Sequence, residues 1–191
     1  MSGCGDSGDS TTRGAATPTP ATGATPRLDP TPACGEQGPT TEQTEGPYFI
    51  PGSPERSSLI ERGVIGDRLV LSGLVLGTDC RPLPRAVLDF WQADGAGVYD
   101  NEGDRLRGHQ RADSRGRWRL ETVVPGRYPG RTPHLHLKVA RPRSSAVLTT
   151  QLYLPGEPSN EQDSIFDPAL LIKTGRAGGV RTGRFDLVLP A

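Results

Sequence analysis

From Asp67 onward the chain alternates short apolar or period-two runs with Gly, Pro and Asp turns. A period of two sends successive side chains to opposite faces of a strand. Strands are therefore predicted over 69–76, 86–92, 117–123, 134–139, 149–154 and 184–189. No long segment carries a helical period, and only 160–166 and 168–173 read as helical turns. The expected fold class is all-β: an antiparallel β-sandwich with Greek-key character, a disordered N-terminal tail and one or two short helical turns. There is no internal repeat.

Residues 1–40 consist mainly of Gly, Ser, Thr, Pro and Ala, with almost no large apolar side chain. Such a segment cannot bury enough surface to offset the entropy of ordering, so a linker is expected there, followed by one domain over 41–191. The opening Met1-Ser2-Gly3-Cys4-Gly5 resembles the end of a bacterial lipoprotein signal, which would make Cys4 a lipid anchor and the only route to a membrane. With no hydrophobic region before it, Met1 would then stand as a replacement start behind a lost signal; a cytoplasmic protein with a floppy start is the alternative. Cys34 closes the linker and Cys80 sits in a turn. A Cys34–Cys80 disulfide would fit an exported protein, extracellular or anchored at the cell surface.

The formal net charge is zero and no run of eighteen apolar residues occurs. Nucleic acid is not an expected partner, because no basic face is clustered. The arginines between Arg105 and Arg119 are interleaved with Asp104, Asp113 and turn residues, which fits a solvated hairpin better than a cationic approach for anionic substrates.

The chemistry gathers in residues 125–136, Pro-Gly-Arg-Tyr-Pro-Gly-Arg-Thr-Pro-His-Leu-His. On a strand, His134 and His136 share one face and Leu135, Leu137 and Val139 the other. The glycines and prolines before them make a tight turn able to fold Tyr128 back over the imidazoles. A second loop tyrosine, Tyr99, follows the strand 86–92 through a glycine-rich loop. Two phenolates and two imidazoles favour a trivalent Lewis-acidic ion, Fe(III), acidic enough to hold phenols of ordinary pKa about 10 as phenolates. No Glu follows the His pair closely, as a cupin would require, and no His-x-Asp or His-x-Glu offers a facial triad. A zinc site recruiting His109 stays open as the metal alternative.

The segments Glu45-Gly46-Pro47-Tyr48-Phe49, Asp89-Phe90-Trp91-Gln92-Ala93-Asp94 with Gly97-Val98-Tyr99, Arg107-Gly108-His109-Gln110, and 125–136 together resemble the intradiol ring-cleavage dioxygenases, the group of catechol and protocatechuate dioxygenases. The resemblance runs in order from about Cys34 to the C-terminus. It implies a non-haem Fe(III) held by Tyr99, Tyr128, His134 and His136, and catechols and O2 as small-molecule substrates, cleaved to cis,cis-muconate-type products. It implies that Tyr128 is the ligand that leaves and takes up a proton when substrate binds. It places Arg131 where charge develops on the ring, Gln151 near the substrate, and Gly46, Pro47 and Tyr48 in the pocket wall.

The departures matter too. Where catechol dioxygenases carry a helical dimerisation segment, this chain has a Pro/Thr tail, leaving the oligomeric state open. The short gap between Tyr128 and His134 removes a loop that wraps the site in larger members, and implies a more open pocket with broader substrate tolerance. Two other functions stand beside the dioxygenase: a secreted, non-catalytic β-sandwich binding module, and a zinc hydrolase using His109, His134 and His136.

Overall fold

The computed structural model describes Met1, Cys34 and residues 38–190. The linker expected over 1–40, with Cys4, lies almost wholly outside these residues.

Among the described residues, nine strands form two sheets. One contains β1 (Arg68–Gly77), β4 (Arg117–Val123), β7 (Lys173–Ala177), β8 (Val180–Arg184) and β9 (Leu187–Leu189), in the order β4-β1-β8-β7 with β9 also on β1. The other contains β2 (Val87–Trp91), β3 (Arg107–Arg111), β5 (His134–Ala140) and β6 (Val147–Tyr153), in the order β3-β2-β5-β6. The chain changes sheet at β1–β2, β3–β4, β4–β5 and β6–β7, so many neighbours are distant in sequence. Most pairings are antiparallel, but β8 and β9 run parallel to β1. The helical turns shrink to two 3-10 turns, Asn160–Gln162 and Pro168–Leu170. Asp167 opens the second by accepting a hydrogen bond from the Ala169 N–H.

The alternation decides which face is inside. In β1, Leu69, Leu71 and Val75 are buried while Arg68, Val70, Ser72 and Leu74 face outward. In β5 the core face is Leu135, Leu137 and Val139. Phe90 of β2 meets Trp118 of β4 across the sandwich with ring centroids 5.5 Å apart. Burying each such side chain contributes roughly 1.5–3 kcal/mol, and truncating Phe90 to alanine is expected to cost about 3–5 kcal/mol.

Two edge strands would leave open backbone groups on one side. Residues 54–59 cover both: His109 donates to the Pro54 carbonyl at 2.9 Å and Glu121 to the Ser57 carbonyl at 2.8 Å. β7, the opposite edge, is exposed along its whole length and carries Lys173 and Arg176, which disfavours edge-to-edge pairing.

Three expectations need correction. The stretch Arg105–Arg119 is not a solvated hairpin: β3 and β4 lie in different sheets, the chain crossing between them at a turn capped by Asp113, and Arg107 is only 2% exposed. The strand expected at 184–189 is the end of β8 and all of β9, interrupted at Phe185 and Asp186, where the Asp186 carboxylate takes the Leu74 N–H. β7 and most of β8 carry no period-two apolar signal, and their pairing with each other and with β1 makes them strands.

Cys34 and Cys80 are joined in a disulfide with Cα atoms 5.4 Å apart. Downstream of it, Thr40 donates to the Val188 carbonyl and Gln43 to the Thr149 carbonyl, so residues 40–49 run along β6 and over one end of the four-stranded sheet.

Candidate active site

The outer face of that sheet carries the chemistry. Because β5 sends its leucines inward, His134 and His136 must face out, and the register fixes their neighbours. His136 pairs with Trp91 on one side and Gln151 on the other, and Trp91 pairs onward with Arg107. His134 pairs with Tyr153. Two alternate rungs of the ladder, those of His134 and His136, therefore hold most of the polar and aromatic groups of the site.

Loops bring the tyrosines over these rungs. Asp94 closes the first loop by accepting from Ala96 and Val98 N–H groups, an Asx-type turn. At Gly97 the backbone adopts φ +82°, and a Cβ would lie 2.2 Å from the Arg127 carbonyl. Only glycine allows that approach, and through it the loops of Tyr99 and Tyr128 pack backbone to backbone. Arg131 N–H donates to the Tyr128 carbonyl at 3.1 Å, closing a turn that sets the two side chains together. The turn is tied down at Thr132, whose N–H donates to Asp163 at 3.0 Å and whose hydroxyl donates to Asn160 at 2.6 Å.

All four candidate ligands converge. The Nε2 atoms of His134 and His136 lie 2.9 Å apart. Ring centroids separate Tyr128 from His134 by 5.6 Å, Tyr99 from Tyr128 by 5.6 Å and Tyr99 from His136 by 6.3 Å. The His134 Nδ1–H donates to the Thr132 carbonyl at 2.6 Å, an assignment that leaves Nε2 as the bare lone pair. Trp91 stacks on His136 at 4.9 Å and 11°. Tyr99, 8% exposed, has no hydrogen-bond partner for its hydroxyl, and neither does Nδ1 of His136.

Electrostatics keep the imidazoles neutral. Burial, followed by the Arg131 charge, lowers His134 to about 4. Burial and the neighbouring His134 hold His136 well below the ordinary value. Both phenols are pushed up, Tyr99 by burial and then by Tyr128, and Tyr128 by burial against the opposing pull of Arg131. The set thus offers two neutral imidazoles whose Nε2 atoms face one point, with a buried, unpartnered phenol beside them. A cation at that point would satisfy these groups and lower both phenols, so the residues fit a metal ion and, with two hard oxygens, a ferric one.

Arg131 is held from several sides. Nε donates to Asp163 at 2.8 Å, Nη1 to the Tyr128 hydroxyl at 3.4 Å, and Nη2 to Gln151 Oε1. Burial alone would lower the guanidinium, but Asp163 and Tyr128 carry it upward. Gln151 is fully buried and its amide donates to the Thr44 carbonyl at 2.9 Å. In the wall, Gly46 faces the His136 ring, where a Cβ would stand 3.3 Å from Cε1. Pro47 is exposed, and Tyr48 stacks on Tyr99 with centroids 4.2 Å apart.

His109 is not brought to this site. Its Nδ1–H reaches the Ser53 carbonyl at 2.7 Å, two residues up β3 from the rung of His136. Among the described residues no group of three or more His, Cys, Asp or Glu side chains could hold a metal. Sequence reasoning passed over Trp91, Tyr153, Asp163 and Gln43. The first two were within reach, since each shares a strand face with an identified residue or pairs with one. Asp163 and Gln43 arrive from distant loops and leave no local signal.

The family profile described as "Dioxygenase" matches residues 44–177. The chain belongs to the dioxygenase family. Among solved structures, this chain is similar to the dioxygenase domain of a dioxygenase carbohydrate-binding protein fusion from Streptomyces sp. SirexAA-E, at 52% identity and TM-score 0.77 over 80% of this chain and 99% of that one. It is similar to 3-chlorocatechol 1,2-dioxygenase from Rhodococcus opacus 1CP, at 30% identity and TM-score 0.72, covering 80% and 73%. Among curated proteins it is 31% identical to hydroxyquinol 1,2-dioxygenase of Nocardioides simplex over 68% of this chain and 52% of the relative. The chain spans about half the length of the curated relatives it matches. These relatives are intradiol ring-cleavage dioxygenases, the family the sequence resembles.

Proposed function

We propose that the protein is a non-haem Fe(III) dioxygenase that cleaves catechol-type diols between the hydroxyl-bearing carbons with O2, giving cis,cis-muconate-type products. The observation that carries this is the convergence of the buried, unpartnered Tyr99 hydroxyl with two imidazole Nε2 atoms 2.9 Å apart and Tyr128 beside Arg131. Tyr99, Tyr128, His134 and His136 would hold the iron, which supplies Lewis acidity that keeps the phenols deprotonated and makes a bound diol reactive toward O2.

The chain's own residues then divide the work. Tyr99 is the more buried phenol, and Tyr128 is half-buried with its hydroxyl next to a guanidinium. Tyr128 is thus the group free to swing out and accept a substrate proton. Arg131, fixed by Asp163 and Gln151, presents a permanent positive charge to negative charge developing on the ring. Tyr48, Gly46 and Trp91 wall the site with apolar surface that suits a flat aromatic substrate.

Hydroxyquinol and chlorinated catechols join catechol as candidate substrates, because the similar proteins are named for them. The disulfide between Cys34 and Cys80 supports an exported protein. The position of His109 speaks against the zinc hydrolase, and the neutral buried site against a binding module with an incidental His pair.

The test is the visible spectrum and iron content of the aerobically purified protein, before and after anaerobic catechol. A broad tyrosinate-to-iron band that moves to longer wavelength with catechol is the expected result. A protein that stays colourless after reconstitution with iron would overturn the proposal, as would loss of iron in His109→Gln.

A further inference from the structure

Arg107 enters none of the chemistry above, yet it shares a rung with Trp91 and His136 and is almost completely buried. Its guanidinium reaches two carbonyls. Nη1 donates to the Tyr48 carbonyl at 2.7 Å and Nη2 to the Asp100 carbonyl at 2.6 Å. The acceptors lie on separate loops: one carries Tyr48 itself, and the other carries Tyr99 one residue earlier. A single planar fork therefore spans the seam where the rings of Tyr48 and Tyr99 stack.

The fork is itself anchored. Arg107 N–H donates to the Asp104 carbonyl at 3.1 Å, and Arg56 Nε donates to the Arg107 carbonyl at 2.8 Å. Among the described residues no carboxylate pairs with Arg107 within ion-pairing distance. Burial lowers its pKa, with Asp100 and then Tyr99 opposing that shift. A buried cation with neutral acceptors is costly as a mere clip, since neutral donors could satisfy two carbonyls without desolvating a charge.

We infer that Arg107 is a positioning residue, a clamp that locks the Tyr48 and Tyr99 loops together and thereby aims the Tyr99 oxygen at the paired Nε2 atoms of His134 and His136. The clamp stands on geometry alone, while its consequence for iron rests on the ligand set proposed above.

Arg107→Met and Arg107→Lys test it, the latter keeping charge and stem but losing the fork. In metal-free protein, amide exchange over 47–50 and 98–101 is expected to accelerate together, by roughly tenfold or more, as a charged hydrogen bond to each loop is lost, with β5 unchanged. In iron-loaded protein the tyrosinate band should shift, iron should leave faster, and KM for catechol should rise more than kcat falls. Acceleration in one loop only, or uniform loosening of both sheets with an unshifted band, overturns the clamp. If wild-type protein binds no iron the ligand assignment fails, and the exchange pattern still decides the clamp. Should Arg107→Met not fold, Arg107→Lys carries the same measurements.

Discussion

Asp163 receives the Arg131 Nε–H at 2.8 Å on a carboxylate with no solvent exposure. Burial alone would raise that carboxyl, but the Thr132 N–H and Arg131 hold it below its usual range, so it stays charged. Arg131 therefore has its orientation set by a residue 32 positions away. Asp163→Asn keeps the shape and removes the charge. It is expected to lower kcat by about 10- to 100-fold with iron content retained, because a misplaced guanidinium no longer meets the developing charge. Asp163→Ala leaves the half-buried Arg131 charge without its carboxylate and should cost about 3–5 kcal/mol in denaturant unfolding. Unchanged kcat in Asp163→Asn would mean that Arg131 needs no orienting partner.

Much of this was legible along the chain. The period-two pattern of β1, β4 and β5 specified a sandwich and sent His134 and His136 to one face, since Leu135, Leu137 and Val139 had to go inside. What stayed hidden is non-local. β7 and β8 read as polar loop because their pairing, not their side chains, makes them strands. Arg107 looked solvated among its charged neighbours, and only the crossing from β3 to β4 puts it under the loops of Tyr48 and Tyr99. Residues 54–59 carry no strand signal either, yet they pair with both β3 and β4.

The lone hydroxyl of Tyr99 predicts a trade between stability and metal binding. In metal-free protein that buried group has no partner, which costs about 1–3 kcal/mol. Tyr99→Phe should therefore melt higher than wild type when both are stripped of metal, by roughly 2–12 °C. With iron present the order should reverse, because wild type gains a ligand that the variant lacks. Paired thermal melts with and without a chelator decide it. A variant that is less stable in both states would show that the hydroxyl is satisfied by something other than a metal.

The depressed imidazoles predict how metal-free protein responds to acid. His134 titrates near 4 when folded against about 6.5 when unfolded, so between those values the unfolded chain binds more protons. Stability is then full above about pH 6.5 and falls as pH drops toward 4, by at most about 3 kcal/mol from this residue. His136, shifted in the same direction, adds to the loss. Urea unfolding of chelator-treated protein from pH 7 to pH 4 measures the slope. His134→Gln should flatten it, and an equal slope in that variant would place the acid sensitivity elsewhere.

The disulfide and the pocket wall are mechanically separated. Cys34–Cys80 closes a sequence separation of 46 residues, and Cys80→Ser is expected to cost about 3–4 kcal/mol by the chain-entropy account. Between the bridge and the site, the Thr40 and Gln43 pairings with Val188 and Thr149 already pin the segment. kcat should therefore hold within about twofold at a temperature where both proteins are folded. A large loss of kcat with normal iron content would mean that tension from the bridge reaches Gly46 and Tyr48.

The rim of the site bears on which diols turn over. Val98, next to Tyr99, and Ile165, whose carbonyl accepts the Tyr153 hydroxyl at 3.2 Å, are among the few large apolar side chains left exposed. Only five residues separate Tyr128 from His134, and the turn between them is held against Asp163 instead of extending over the mouth. A ring substituent then meets no covering loop, and an added methyl or chlorine changes binding by only about 1–3 kcal/mol. Catechol, a chlorocatechol and hydroxyquinol should accordingly all be cleaved, with kcat/KM values within about 200-fold of one another. The measurement is oxygen uptake with each diol on one iron-loaded preparation. A preference of several orders of magnitude for a single diol would mean that the mouth is closed by contacts beyond this rim. Ile165→Trp provides the complementary check: it should lower kcat/KM for the substituted diols while sparing catechol, because bulk at the rim meets the substituent and not the chelating edge.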